Sequence, residues 1–167
     1  MYKKFLSIIF IFFTISLTSC VTDGGEDINE VINYINVGDK LPAFGYNEFN
    51  TNDFTGKRSL LVLFETTCPD CKRVLPKVEQ VWQQLKENTD YKVVAVARGQ
   101  KISVTEGSWG DNYTMPVISD EGKNIFNFFA NRMIPRVYII NPEGIVTHMW
   151  IEKLDITATE VIELMNE

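Results

Sequence analysis

Two cysteines separated by two residues carry the clearest chemistry in this sequence. Cys68-Pro69-Asp70-Cys71 stands at the start of a stretch with helical periodicity. A cysteine in the first turn of a helix lies near unsatisfied backbone N–H groups, which favour the thiolate, and the thiolate is the nucleophile of disulfide exchange. We therefore expect Cys68 to attack a disulfide and Cys71, one turn further on, to resolve the mixed disulfide.

The same two cysteines admit two other interpretations, a structural zinc site and a pair of inert thiols. Structural zinc usually has four ligands, whereas the sequence has no second C-x-x-C pair and a single histidine, His148. Inert thiols could occur anywhere in the chain, whereas a redox pair is expected at a strand-to-helix junction, which is where these cysteines lie. No dissociable cofactor is expected, because the two sulfurs would themselves store the electrons.

Apolar runs of strand length flank the cysteine pair and predict the elements that position it. Residues 59–64 and 92–97 read S-L-L-V-L-F and K-V-V-A-V-A, which is typical of strands buried on both faces. Between them, apolar residues recur at spacings of three and four and predict one face of a helix. They are Val74, Val78, Val81, Trp82 and Leu85. The order strand, helix, strand matches a right-handed parallel crossover and predicts an α/β fold.

The second half of the chain predicts shorter elements. Residues 99–113 are polar and are interpreted as a loop with a helical turn, in which Trp109 is a candidate for contacting a partner. Residues 124–130 predict a short aromatic helix, and residues 136–140 and 145–149 predict a hairpin around Asn141-Pro142-Glu143-Gly144. Thr157-Ala158-Thr159-Glu160 resembles a capping box that opens a last helix. Arg98, at the end of the second buried strand, is interpreted as a solvated charge, with a contact to substrate as the alternative.

The N-terminus has the pattern of an export signal. Lys3 and Lys4 precede an apolar run from residue 5 to residue 17. A transmembrane anchor is the alternative, but crossing a bilayer takes roughly 20 apolar residues and this run is shorter. Leu17-Thr18-Ser19-Cys20 resembles the lipobox of bacterial lipoproteins, in which cleavage precedes a cysteine that receives lipid. The alternative is an ordinary cleavage site beside an incidental cysteine.

These features predict three segments and a single folded domain. Residues 1–19 would be the lipoprotein signal peptide, residues 20–36 the lipidated Cys20 with a flexible tether, and residues 37–167 the domain. The hydrophobic content of 45% suits a packed core, and the formal net charge is -6. Nucleic acid is excluded as a partner, because the chain has no basic stripe and a negative protein is repelled by phosphate.

From about residue 37 to the C-terminus the chain resembles the thioredoxin superfamily, with the TlpA-like disulfide reductases of bacterial envelopes as the nearest branch. The resemblance rests on the order of the C-x-x-C motif, Pro76 in the following helix, Ile134-Pro135 at the place of the family's cis-proline, and Asn141-Pro142-Glu143-Gly144 after the next strand. It implies a thioredoxin-like three-layer fold, with a central mixed β-sheet flanked by helices.

The resemblance also implies roles for residues around the two cysteines. In the family, the cis-proline turn lies against the sulfurs and pairs with the extended substrate, so substrate binding is expected from four residues. They are Ile134, Pro135, Thr67 and Pro69. Thr67 replaces the tryptophan that is common before the first cysteine. The buried acid of thioredoxin would fall at Val62, and Glu65 could replace it as a proton relay, unless its carboxylate faces solvent.

The function implied is thiol:disulfide exchange on exported proteins, in the reductive direction, with electrons from a membrane-bound donor. The protein would be anchored through Cys20 in the bacterial cell envelope, at the outer membrane or another membrane surface facing the periplasm. Two alternatives stay open. One is a thiol peroxidase of the peroxiredoxin type, although such enzymes typically carry threonine where this chain has Glu65. The other is a lipid-anchored binding module with non-catalytic cysteines.

Overall fold

The structure is a computed structural model that describes residues 30–109 and 112–167, and Val31–Glu167 form one folded unit. The described residues form short strands, α-helices and one 3-10 helix that alternate along the chain. In chain order they are β1 (Gly45–Tyr46), β2 (Phe49–Asn50), the 3-10 helix Thr51–Phe54, β3 (Arg58–Phe64), α1 (Pro69–Leu85), β4 (Tyr91–Arg98), α2 (Ile102–Trp109), β5 (Val117–Asp120), α3 (Asn124–Phe129), β6 (Arg136–Ile140), β7 (Val146–Ile151) and α4 (Ala158–Met165).

A mixed five-stranded sheet in the order β5-β4-β3-β6-β7 forms the centre of the described fold. Strand β3 pairs in parallel with β4 and antiparallel with β6, so it has a neighbour on each side. Helices α1 and α4 pack on each other and on this sheet, and α3 packs on β4 and β5. The predicted fold class, a central mixed sheet flanked by helices, is confirmed.

The central strand and its following helix arise from the predicted patterns. Residues 60–64 of β3 are completely buried, as a strand covered on both faces requires. On α1, the buried side is formed by Cys71, Val74, Val78 and Val81, at spacings of three and four. Burial of the β3 end and of this helical stripe fixes the turn between them, and that turn carries the cysteine motif.

The loop predicted over residues 99–113 is wrong in part, because it contains the two-turn helix α2. Its inward side consists of Thr105 and Trp109, which are four residues apart and only 1% and 5% exposed. Two inward residues are too few to give a periodicity that stands out from a polar sequence. The ring of Trp109 packs inward and is not a free surface side chain, and its interpretation as a partner-contacting residue stays a prediction.

The folded unit begins earlier than the predicted boundary at residue 37. Ile35 is 4% exposed, and Asn33 forms an isolated antiparallel bridge with Ala130. The backbone N–H groups of Tyr34 and Ile35 both donate to the carbonyl oxygen of Phe129, at 2.9 and 3.3 Å. The last residues of the predicted tether therefore belong to the domain, because they bury an apolar side chain and pair their backbone. Cys20 and the predicted signal peptide lie outside the described residues.

The hairpin and the last helix form where their turn and cap residues predicted them. Strands β6 and β7 flank Asn141-Pro142-Glu143-Gly144, and Gly144 has a φ of 79°, which glycine adopts without strain. Thr157 is the N-cap of α4, and its hydroxyl oxygen accepts a hydrogen bond from the backbone N–H of Glu160 at 3.1 Å.

Candidate active site

The cysteine motif occupies the turn from the central strand β3 into helix α1. Cys68 is the N-cap of the helix, with extended backbone angles, and Pro69 takes the first helical position, where its fixed φ and missing N–H are tolerated. The sulfur of Cys68 accepts a hydrogen bond from the backbone N–H of Cys71 at 3.3 Å. The Cys68 sulfur therefore takes the place that an N-cap oxygen usually holds, at the positive end of the helix.

The two thiols differ in their exposure to solvent. Cys68 is partly exposed, whereas Cys71 is completely buried one turn further into the helix. Both cysteines are free thiols in this structure. A second molecule can reach Cys68 directly, while Cys71 can be reached only through Cys68 or after a local movement.

The surroundings of Cys71 hold its proton firmly. Burial is the main cause that raises the pKa of the Cys71 thiol far above its ordinary value of 9.0, and a hydrogen bond with the side chain of Cys68 adds to it. A backbone hydrogen bond at Glu65 lowers the pKa, and the charge interactions with Cys68 and Glu65, each a smaller effect, raise it. Cys71 is therefore a protonated thiol at neutral pH, as suits a group that reacts only after Cys68 has reacted.

Glu65 lies at the end of β3 and pairs with Arg98 at the end of β4. The guanidinium of Arg98 contacts one carboxylate oxygen of Glu65 through Nη2 at 2.5 Å and Nε at 2.7 Å. The side chains of Arg98 and Glu65 are 18% and 25% exposed, and the Arg98 guanidinium lies over the ring of Phe126 at 4.5 Å. Arg98 is therefore a partly buried ion-pair partner, and its interpretation as a solvated charge is wrong.

The peptide bond between Ile134 and Pro135 is cis, as the resemblance implied. Strand β6 begins directly afterwards, and Leu63 of β3 lies opposite Arg136 in the antiparallel register. Pro135 thus stands beside the end of β3 that leads to Cys68. The strand pairing therefore brings the proline turn and the cysteine motif to the same end of the sheet, where β3 ends and β6 begins.

Arg136 fixes the backbone that precedes Pro135. This side chain is completely buried, and its guanidinium donates hydrogen bonds to the carbonyl oxygens of Arg132 and Met133 and to Oδ1 of Asn33. The nearest of these contacts are 2.7 Å long. Sequence analysis did not find this residue, although an arginine at the start of a wholly apolar strand was a signal that it had specific partners.

The remaining residues predicted for the site differ in their exposure to solvent. Thr67 and Pro69 are exposed beside Cys68, and Ile134 is largely buried. Asp70 forms a long contact of 3.9 Å with Arg73, and both side chains are well exposed. Within residues 30–109 and 112–167, no group of side chains could hold a metal ion, and no helix is long and apolar enough to span a membrane.

Strand β3 pairs in parallel with β4 and leads into the helix that begins at the C-x-x-C motif. Its antiparallel neighbour β6 follows a cis-proline. Together these features define a thioredoxin-like dithiol protein. The profile of the AhpC/TSA family matches residues 37–149, and the chain belongs to this family.

Individual proteins resemble the chain at low identity. It is 28% identical to the thiol-disulfide oxidoreductase ResA of Bacillus subtilis over 137 residues, which cover 77% of this chain and 71% of that protein. The same identity over 94 residues relates it to ResA of Halalkalibacterium halodurans, and this match covers 55% of the chain and 52% of that relative, about half its length. A thiol:disulfide interchange protein of the thioredoxin family from Chlorobium tepidum TLS superposes with a TM-score of 0.63 at 17% identity, covering 78% of this chain and 96% of that one.

Proposed function

We propose that this protein is a thiol:disulfide oxidoreductase that reduces disulfides in exported proteins through Cys68 and Cys71. The observation that carries the proposal is the asymmetry of the two thiols at the tip of α1, since one is accessible and the other is buried beneath it. The names of the related ResA proteins support the same reaction class.

The reaction starts at the accessible sulfur. The thiolate of Cys68 attacks one sulfur of a substrate disulfide, the substrate S–S bond breaks, and a mixed disulfide forms while the displaced substrate sulfur leaves as a thiolate that takes up a proton. The backbone N–H of Cys71 and the helix N-terminus stabilise negative charge on Cys68 before the attack.

The buried sulfur completes the exchange. Cys71 gives up its proton, attacks the Cys68 sulfur and forms the intramolecular disulfide, so that the second substrate sulfur leaves as a thiolate and is protonated. Two electrons pass from the dithiol to the substrate, and a membrane-bound thiol donor restores the reduced pair. We assign acceptance of the Cys71 proton to the carboxylate of Glu65, whose charge already acts on this thiol.

The substrate would bind along the turn at Ile134 and Pro135, with Thr67 and Pro69 as contacts beside the attacked disulfide. The position of this turn next to the end of β3 supports the assignment. Residues 1–19 would serve as the signal peptide, and Cys20 as the lipidated residue that anchors the protein in the cell envelope. Radiolabelled palmitate should enter the wild-type protein and not the Cys20→Ser variant.

Reduction of insulin disulfides tests the activity. The Cys68→Ser variant should lose turnover, and the Cys71→Ser variant should accumulate a mixed disulfide through Cys68, whereas Cys20→Ser is the matched control that keeps both catalytic sulfurs. Hydrogen peroxide serves as a second substrate, because consumption of peroxide without reduction of insulin would indicate a thiol peroxidase. Retention of a bound partner by Cys68→Ser, together with an inactive wild type, would indicate a binding module.

A further inference from the structure

A small cleft opens on the side of the cysteine motif that faces away from Pro135. Its accessible volume is about 220 Å³. The floor consists of Phe64, Leu75, Trp109 and Tyr113, and the rim carries Thr66 and Lys72. In the sheet, β6 with the proline turn lies on one side of β3, while β4 and the segment with Trp109 follow on the other. The Trp109 cleft, as we call it, therefore flanks Cys68 opposite the proline turn.

The walls of the Trp109 cleft are held by contacts that need no bound molecule. The indole N–H of Trp109 donates to the carbonyl oxygen of Met115 at 3.0 Å, and the indole ring lies 4.9 Å from the ring of Phe64 and 4.8 Å from that of Tyr113. The carboxylate of Glu79 accepts hydrogen bonds from the backbone N–H groups of Thr114 and Met115, which follow Tyr113 in the chain. The cleft is thus formed in advance, which lowers the cost of filling it.

The size of the cleft decides what it can hold. Sites for free small molecules and cofactors are commonly about 300 to 1,000 Å³, so a cleft of about 220 Å³ suits one large side chain. Its aromatic floor favours an aromatic ring, through stacking and edge-to-face contacts. At the rim, Lys72 makes no ion pair within the described residues, so its ammonium can lie over the face of a bound ring.

The position of the cleft relative to Cys68 limits which residue of a substrate can place its ring there. Thr66 lies two residues before Cys68, and Lys72 lies one helical turn after it, with its backbone N–H donating to the Cys68 carbonyl oxygen at 3.2 Å. One turn is about 5.4 Å of helix, and an extended chain advances about 3.3 to 3.6 Å per residue. A side chain one or two residues from the attacked cysteine spans this distance.

We propose that the Trp109 cleft binds an aromatic side chain of the substrate polypeptide, one or two residues from the cysteine that Cys68 attacks. The inference rests on the proposed disulfide reductase function and names the class of polypeptide that it prefers. A bound substrate would contact the proline turn on one side of Cys68 and the cleft on the other. The two contacts together would orient the substrate disulfide toward the attacking sulfur.

Four synthetic peptides test this preference, each with one intramolecular disulfide and the same length and charge. Three carry phenylalanine one, two or four residues from the attacked cysteine, and the fourth carries alanine instead. For the wild-type protein, kcat/KM should be about tenfold higher with phenylalanine at one of the near positions than with alanine, the gain expected for burying most of one ring. Phenylalanine at the distant position should give no gain.

Variants of the rim and floor locate the preference. Tyr113→Ser and Lys72→Gln should each reduce the ratio of the phenylalanine rate to the alanine rate from tenfold to about twofold. Lys86→Gln, a surface lysine at the end of the same helix, is the matched control and should keep the full ratio. Lys72 is exposed, so its variant tests the cleft even if Tyr113→Ser fails to fold.

The outcomes distinguish failure of the cleft proposal from failure of the reductase function. Equal rates on the phenylalanine and alanine peptides by an active wild type would overturn the cleft proposal and leave the reductase function standing. An unchanged ratio in both cleft variants would place the ring elsewhere and would also overturn it. A wild type that reduces none of the peptides and no insulin would refute the reductase function itself, and the cleft proposal with it.

Discussion

The ion pair between Glu65 and Arg98 should contribute to stability more than any ordinary surface pair. Two contacts of 2.5 and 2.7 Å join the groups, and their side chains are about three-quarters buried. Exposed pairs couple by about 0.2 to 1 kcal/mol, while removal of one partner from a fully buried pair costs about 3 to 5 kcal/mol. For the intermediate burial of this pair, we expect a coupling of about 1 to 2 kcal/mol.

A double-mutant cycle measures this coupling. Arg98→Met keeps an unbranched apolar chain over Phe126 and should lower the free energy of unfolding by about 2 kcal/mol, since it also loses the cation–π contact. Glu65→Gln should cost about 1 kcal/mol, and the double variant should lose less than the sum of the two. Urea unfolding followed by tryptophan fluorescence gives the three differences.

The pair Lys153–Glu160 provides the control cycle. Its atoms are 3.5 Å apart and its side chains are 39% and 38% exposed, so its coupling should stay below about 0.5 kcal/mol. If the coupling of Glu65 with Arg98 is no larger than that of the control, the reasoning from burial is refuted.

The same variants should change the reactivity of Cys71 in opposite directions. Burial and the Cys68 hydrogen bond raise the pKa of the Cys71 thiol first, and the negative charge of Glu65 raises it further. Glu65→Gln should therefore lower this pKa, whereas Arg98→Met leaves the carboxylate charge uncompensated and should raise it. Thiolate absorbance of Cys71 in a Cys68→Ser background, followed against pH, reports both shifts without a reagent that must reach the buried sulfur. A shift in the same direction for the two variants would contradict the electrostatic account.

Three further predictions concern stability. The pKa of the Cys71 thiol is raised above its ordinary value of 9.0, so the stability that this thiol contributes is complete below pH 9 and is lost above it. The reduced protein should lose up to about 1.4 kcal/mol per pH unit between pH 9 and 10. Cys71→Ala should make this slope clearly shallower in urea titrations. Burial opposes ionisation of Glu79, but hydrogen bonds from Gln83, from Thr114 and from the Met115 backbone outweigh it and hold the pKa of this carboxyl below 4.5. Thermal unfolding should therefore show that stability is lost as the pH falls below 4.5. The Glu79→Gln variant should show a flatter dependence of stability on pH. Thr157→Ala removes the N-cap of α4 and should cost about 1 kcal/mol by urea unfolding, whereas an unchanged midpoint would show that the cap adds nothing.

The sequence predicted the parts of the fold in which a local pattern is strong enough to decide the structure alone. The run before the cysteine motif is apolar throughout and forms the central strand β3, and the apolar stripe of α1 is buried as predicted. The turn at Asn141-Pro142-Glu143-Gly144 joins the expected hairpin. In each case, neighbouring residues carry the information, so no knowledge of distant contacts was needed.

The parts that were missed depend on contacts between distant residues. Glu65 and Arg98 are 33 residues apart in the chain and meet because β3 and β4 pair in parallel and end at the same edge. The predicted crossover implied this edge, yet no local pattern identified Glu65 as the partner of Arg98. Only a helical turn was predicted where α2 forms, because the burial of this helix depends on where Trp109 packs. Asn33 was assigned to the tether because its partner Arg136 lies 103 residues away.

The arrangement of strands explains why a single helix tip can combine reaction and recognition. A C-x-x-C motif after an edge strand would have a neighbouring strand on one side only, whereas β3 has β4 on one side and β6 on the other. The antiparallel neighbour brings Pro135 to Cys68, and the parallel neighbour brings Arg98 to Glu65 and leads into the segment that carries Trp109. In the proposed function, the side toward β6 offers the backbone of the proline turn, while the side toward β4 offers the side chains of the Trp109 cleft. Discrimination among substrates should therefore arise on the β4 side, and substitutions there should alter which disulfides are reduced before they alter whether disulfides are reduced at all.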